Sequence, residues 1–297
     1  MSIKPPTDRA ADRSRFDGKV AIVTGSTQGL GEAIASLLVS RGLQGLVVTG
    51  RNADRGRAMV KKAQAAGTEA IFVGADLSKP DEVAGIIDAC DSRFGRVNVL
   101  VNAAGNTDRG TILDTSLDVY ETTFSTNLRA PFFLMQGALR IMVREGIRGS
   151  IVNIISMSAY GGQSFLSAYC AAKGGLVTLT KNTGFSMMRY GCRVNGLCMG
   201  WMYTPGEEQT MRKWHGATDG WREAAEEKLP IGRMLDMDEV ARTAAFLCSD
   251  ESGMMTGSII DFDQSIPGCW DAVPQPPAVP LGIQSGPPAK LANSRCT

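Results

Sequence analysis

Seven short apolar runs constrain the fold of this chain more than any other feature. They are "KVAIVTG" (19–25), "GLVVTG" (45–50), "AIFVG" (70–74), "VNVLVNAAG" (97–105), "SIVNIIS" (150–156), "CRVNGLC" (192–198) and "SIIDFD" (258–263). Val and Ile dominate them and their hydrophobicity is nearly continuous, which suits strands buried on both faces. Helical periodicity fills the intervals. In the first interval Leu30, Ala33, Ile34, Leu37 and Leu38 fall on one stripe, which ends at Gly42. Strand and helix in alternation imply right-handed crossovers and a parallel sheet covered on both sides, an α/β doubly wound fold. Two helical stretches, at 117–145 and 167–189, are unusually long.

The alternation begins after a polar arm over residues 1–16 and occupies 17–266 as one domain. Residues 200–230 interrupt it with a polar stretch carrying Trp201, Trp214 and Trp221, read as a lid of short helices and loop. From residue 267 to 297 the chain is rich in Pro, Gly and Ala and reads as an extended tail. With 31 basic against 30 acidic residues, the chain lacks the basic excess that nucleic acid or an anionic membrane selects. No apolar run approaches the ~18 residues of a spanning helix, and the N-terminus lacks the apolar core of a signal peptide. The seven cysteines are scattered without a C-x-x-C pair. A soluble protein of the reducing cytoplasm is expected. His215 is the single histidine, which argues against His-rich metal sites and a Ser-His-Asp triad.

The first strand runs into "TGSTQGLG" (Thr24 to Gly31) and at once into the first helix. Glycines let backbone turn sharply beside a ligand, and a helix N-terminus offers unpaired N–H groups to a pyrophosphate. The spacing is G-x-x-x-G-x-G, and its place on the first strand points to a dinucleotide. The second strand ends "VTGRN", with Arg51 and Asn52 and no carboxylate before Asp54. Arg51 suits a 2′-phosphate, so NADP(H) is favoured over NAD(H); the plainer reading is an exposed loop arginine stacking on adenine. Asp76, in "GADLS", either accepts from the adenine amino group or caps the next helix.

"SAYCAAKGG" (167–175) sets Tyr169 and Lys173 four residues apart, on one face of a helix. A phenol with a pKa of about 10 is a poor base at neutral pH. A nearby ammonium and the positive ring of an oxidised nicotinamide are expected to lower it, so that Tyr169 takes a proton from an alcohol or returns one to a ketone. Ser156 ends its strand thirteen residues earlier, placed to hold the substrate oxygen. Singly, the three read as a loop cap, a core aromatic and a solvated charge. Together with the glycine loop they read as a site.

On "TGSTQGLG", "NAAG" (102–105), "STNL" with Asn127, Ser156, "YCAAK" and "GRMLDMDEVARTAAFLCSD", the chain resembles the short-chain dehydrogenase/reductases over residues 17 to 265. The resemblance implies a single Rossmann-like domain with a seven-stranded parallel sheet flanked by helices. It also implies a tetrad of Asn127, Ser156, Tyr169 and Lys173, with the tyrosine as general acid/base. The lysine would also bind the nicotinamide ribose and, with the asparagine, hold a water on the proton path. By match of position the cofactor would be held by Gly25, Thr27, Gln28, Gly29, Leu30 and Gly31, then Arg51 and Asn52, Asp76 and Leu77. Asn102, Ala103 and Gly105, Tyr169 and Lys173, and Gly200, Met202 and Thr204 would complete the site. The long helices would form the contacts of a homotetramer. Two departures stand out: Met199-Gly200 replaces the usual Pro-Gly, and Gln264-Ser265 replaces a Gly-Gly pair.

Ser156, Ser158, Gln163, Phe165, Tyr169, Trp201, Met202, Tyr203 and Trp214 are expected toward a small-molecule substrate. Aromatic faces beside amides suit a sugar or polyol, while tryptophans that only seal the lid or a subunit contact are the plainer alternative. The leading expectation is an oxidoreductase interconverting a secondary alcohol and a ketone on a hydroxylated small molecule. A 3-oxoacyl-carrier-protein reductase would need a basic docking face, for which Arg129 and Arg189 are the only signs. A catalytically idle cofactor-binding protein would have no use for the tetrad.

Overall fold

The structure is a computed structural model and describes residues 12–269. The chain divides into two units after Gln264. Of the second unit, residues 265–269 are described, a turn in which the Cys269 N–H donates to the Ile266 carbonyl at 2.9 Å. All that follows concerns the first unit. The tail expected over 267–297 lies almost wholly outside the described residues, and of the arm expected over 1–16 only residues 12–16 are described. Among these, Phe16 is fully buried and its N–H donates to the Arg41 carbonyl.

All seven expected strands form: β1 Val20–Thr24, β2 Gly45–Gly50, β3 Glu69–Gly74, β4 Val99–Asn102, β5 Ser150–Ser156, β6 Arg193–Met199 and β7 Ile259–Phe262. They make one sheet in the order β3-β2-β1-β4-β5-β6-β7, every pair parallel. Successive strand residues face opposite sides, so each continuous apolar run feeds two cores. Ala21, Val23, Leu46, Val48, Val99, Val101 and Val152 pack with helices α1 Gly29–Ser40 and α2 Ala53–Ala65, and with the later helix Met237–Cys248. Val20, Ile22, Val47, Leu100, Ile151 and Val194 pack with α3 Pro80–Phe94 and with the helix Ala130–Arg144.

The stretch 117–145 is not one helix. It is α4 Leu117–Phe124, a π-helical turn Ser125–Arg129, and α5 Ala130–Arg144. Pro131 supplies the reason: it has no N–H to give to the Asn127 carbonyl four residues back, so the α ladder cannot run through. The second long helix, α6 Ser167–Met187, is continuous and passes into a 3₁₀ turn at Met188–Tyr190. The lid folds as α7 Pro205–His215 and α8 Trp221–Glu226, and α9 Met237–Cys248 follows.

Candidate active site

Strand order reverses between β1 and β4, and there the carboxyl ends of the strands open a crevice. Thr24 closes its floor: its hydroxyl oxygen accepts from the N–H groups of Ala103 (2.9 Å) and Ala104 (3.0 Å), tying the end of β1 to the end of β4. Beyond Thr24 the chain turns through Gly25 (φ 67°) and Gly29 (φ 58°), both in the left-handed region that favours glycine. Gly31 serves differently. A Cβ there would overlap the Gly25 carbonyl, so its bare backbone lets α1 pack onto the loop. The α1 N-cap residue, Gln28, makes no side-chain cap, in contrast to Asn52 on α2, Ser116 on α4 and Asp236 on α9. The first-turn N–H groups of α1 therefore face the crevice without a side-chain acceptor, a fit for a pyrophosphate.

The crevice is a cleft of 970 Å³. Its walls include Gly25, Thr27, Gln28, Gly29, Leu30, Gly31, Arg51, Asn52, Asp76, Leu77, Ala103, Gly105, Tyr169, Lys173, Met202 and Thr204. At one end Arg51 and Arg55 both reach it, while Asp54 is turned to Arg57 at 2.6 Å. The Asn52 carbonyl oxygen of the side chain accepts from the Arg55 N–H at 2.9 Å and so caps α2. Asp76 takes the Ser78 N–H (2.9 Å) and hydroxyl (2.8 Å); those hydrogen bonds, against some burial, hold its carboxyl below the usual range, with Arg51 adding to the effect. Thr204 caps α7 by accepting from the Glu207 N–H at 3.0 Å.

Asn102 stands apart. Its side chain donates to Asn153 at 2.8 Å inside the sheet, and Asn153 in turn donates to Thr180 at 2.9 Å. The Asn102 side-chain oxygen is buried without a partner among the described residues. Gly200 is also outside the cleft wall; a Cβ there would collide with the Asp263 carboxylate, so bare backbone is what this crossing after β6 demands.

Tyr169 and Lys173 rise from the first turns of α6 onto the cleft wall. Ser156, at the end of β5, favours the ionised phenol, and its hydroxyl oxygen accepts from the Ser158 N–H at 3.2 Å. Lys173 is buried; its ammonium donates to the Ile154 carbonyl at 2.7 Å and lies 5.7 Å from the centre of the Tyr169 ring. Burial pushes the Tyr169 phenol up to about 12, with Ser156 and Arg109 working against it. The same desolvation pulls Lys173 down to about 8, though it stays largely protonated at neutral pH. The ammonium sits over the ring face and donates to the Ile154 carbonyl. Asn127 is fully buried in the π turn: its side chain accepts from the Asn106 N–H (3.1 Å) and donates to the carbonyls of Asn106 (2.8 Å) and Thr123 (3.0 Å).

Of the residues expected toward substrate, Tyr169, Met202 and Trp214 line the cleft and Ser156, Ser158, Gln163, Phe165, Trp201 and Tyr203 do not. Ser158 turns to Gln163 at 3.4 Å. Trp201 and Tyr203 gather on Trp221, with ring centres 6.1 and 6.2 Å away, and the Trp201 N–H donates to Glu207 at 2.8 Å. Trp201 and Tyr203 thus pack within the lid on Trp221. Among the polar residues not singled out from sequence are Arg55 and Glu207, which line the cleft, and Arg109, beside the turn that leads into α6. Arg55 follows Arg51 by one helical turn in "RNADR", and Arg109 follows "NAAG" at the end of β4; their spacing was the available signal.

The family profile described as "Enoyl-(Acyl carrier protein) reductase" matches residues 25–264. The D-beta-hydroxybutyrate dehydrogenase of Cupriavidus necator is 32% identical over 262 residues, 86% of this chain and 99% of its own. The galactitol 2-dehydrogenase of Agrobacterium fabrum is 28% identical over 255 residues, 84% and 97% of the two chains. Among solved structures, L-sorbose reductase from Gluconobacter frateurii, in complex with NADPH and L-sorbose, superposes with a TM-score of 0.79 at 25% identity, covering 87% of this chain and 100% of that one. The chain belongs to the short-chain dehydrogenase/reductase family. It is an oxidoreductase that interconverts an alcohol and a ketone with a nicotinamide cofactor.

Proposed function

We propose that Tyr169 is the general acid/base of this reaction, on a secondary alcohol of a sugar, polyol or similar hydroxylated small molecule. The observation that carries the reading is the phenol itself: on the wall of a glycine-lined cleft, with the buried Lys173 ammonium 5.7 Å from its ring centre. The glycine loop, the first turn of α1 and Lys173 would hold a nicotinamide cofactor, which would supply the hydride acceptor for the carbinol carbon. Ser156 holds the substrate oxygen, Tyr169 takes its proton, and Lys173 orients the ribose while keeping positive charge near the phenolate. The Asn127 carbonyl, which Pro131 cannot serve, holds the water that carries the proton onward. In the reverse direction Tyr169 returns the proton to the ketone.

Arg51 and Arg55 at the cleft end, with Asp54 turned away, support NADP(H) over NAD(H). Relatives with sugar, polyol and hydroxy-acid substrates support the substrate class. Exposed apolar side chains on α4, α5 and α6 support a homotetramer. The unpaired cysteines among the described residues, four of them buried, support a reducing cytoplasmic setting. The test is Tyr169→Phe, assayed at the absorbance of reduced nicotinamide on sugars, polyols and hydroxy acids with each cofactor. The variant is expected to lose about 10²–10⁴-fold in kcat, as befits a lost general acid/base, while still binding NADPH. Activity that survives the substitution refutes the role of Tyr169, and a higher kcat/KM with NAD refutes that of the two arginines.

A further inference from the structure

Residues 106–110 pass from the end of β4 across the mouth of the cleft. They are stitched to the start of α6: the Gly110 N–H donates to the Phe165 carbonyl at 2.9 Å, and the Ser167 N–H donates to the Gly110 carbonyl at 3.2 Å. Arg109 is thereby fixed beside the turn that presents Tyr169. Its Nε donates to Nε2 of His215 (3.2 Å), its Nη1 to the Thr107 carbonyl (2.6 Å), and its guanidinium lies 5.4 Å from the centre of the Phe165 ring. His215 stands edge-on to the same ring at 5.1 Å. The guanidinium is thus held on three sides by groups that carry no negative charge.

Arg109 is half-buried, yet no carboxylate of the described residues pairs with it. The acids around it are engaged elsewhere. Asp108 faces Lys213 at 3.2 Å, and Glu207 accepts from the Trp201 N–H at 2.8 Å. Burial works against the Arg109 charge, with Glu207, Tyr169 and Asp108 opposing that effect, which sets the guanidinium within electrostatic reach of the phenol. A loop prop needs only the two hydrogen bonds already made. A guanidinium with donors left over and part of its water removed is short of an anion.

We propose that Arg109 binds a carboxylate of the substrate, so that the alcohol oxidised at Tyr169 belongs to a hydroxy acid and the ketone reduced there to an oxo acid. This rests on the dehydrogenase reading given above. One guanidinium offers a carboxylate a two-pronged contact. A phosphate dianion would meet Arg109 with Asp108 and Glu207 close by, Lys213 being turned to Asp108, which favours the monoanion.

The test uses matched pairs, 3-hydroxybutyrate with 3-hydroxybutyramide and 4-hydroxycyclohexanecarboxylate with its carboxamide, oxidised in the presence of NADP⁺. The wild-type protein is expected to prefer each acid by at least about tenfold in kcat/KM, the low end for a charge-assisted contact. Arg109→Gln is expected to bring that ratio near one, and Arg109→Lys to keep part of it. A separate arm measures calorimetric binding of cyclohexanecarboxylate and its carboxamide to the NADPH complex of the wild type and of Tyr169→Phe. Preference for the carboxylate in both supports the site without relying on turnover, or on any Arg109 variant folding. Equal use of acid and amide, a ratio unchanged in Arg109→Gln, or preference for a hydroxyalkyl phosphate overturns the proposal. Neutral alcohols turned over with no acid preference leave the dehydrogenase reading standing and remove this one. Arg109-dependent carboxylate binding with no turnover of any alcohol does the reverse.

Discussion

Lys173 shows how much a single residue's setting departs from its letter. In the sequence it is an ammonium one turn from a phenol; in the fold it is a cation taken out of water, with its pKa pulled to about 8 by burial. A folded value below the ordinary 10.5 means that, between about 8 and 10.5, the unfolded chain binds a proton the native one lacks. Stability tied to this group therefore rises with pH across that window, and at neutral pH the buried charge is a burden. Lys173→Met is expected to raise stability at pH 7 by on the order of 2 kcal/mol, the relieved burial being set against the lost bond to Ile154. Urea unfolding at pH 7 and pH 10 checks this: the difference between wild type and variant should shrink as pH rises. The variant should also be inactive, because the ribose and the phenol lose their cation. A variant less stable than wild type at pH 7 would mean that the Ile154 bond outweighs desolvation.

At the scale of elements, the most consequential device is the π turn Ser125–Arg129 between α4 and α5. It buries Asn127, whose side chain clamps the backbone of Asn106 at the cleft mouth, and Pro131 leaves the Asn127 carbonyl without its α-helical donor. Pro131→Ala restores an N–H at that point. It is expected to lower kcat several-fold by competing for the carbonyl proposed above to hold the proton-relay water, with the KM for NADPH unchanged. Steady-state kinetics decide it, and an unaltered kcat removes Asn127 from the proton path. The sequence made the strands legible because each element announces its own period, and the glycine loop because turn and helix start are adjacent. It did not reveal the π turn, since a helical stripe continues through the interruption and only Pro131 marked it. Nor did it reveal where Trp201, Tyr203 and Arg109 point. Those directions are set by Trp221, Glu207, His215 and Phe165, which lie far from one or another of them in the chain. Ser156, Tyr169 and Lys173 were legible because one strand end and one helix start carry all three.

For the molecule as a whole, the chemistry sits on one chain while the surface asks for company. Leu117 and Tyr120 on α4, Phe132, Phe133 and Val143 on α5, and Phe185 near the end of α6 are exposed, Leu117 at 74% and Phe185 at 72%. Isolated apolar side chains on a surface need no explanation, but several large ones on neighbouring helices mark a contact face. Helices that meet their own copies across a two-fold axis bury the same residues twice, so one substitution acts on both sides of the contact. Phe132→Glu combined with Phe133→Glu would bring charge onto the axis region, where like charges from two subunits lose water together. Light scattering on the wild-type protein is expected to give a tetramer, and on the double variant a species no larger than a dimer. The cleft is built within one chain, so each dissociated subunit should still bind NADPH. If the double variant stays tetrameric, α5 does not lie in the interface; if the wild type is a monomer, the apolar face of these helices serves some other partner.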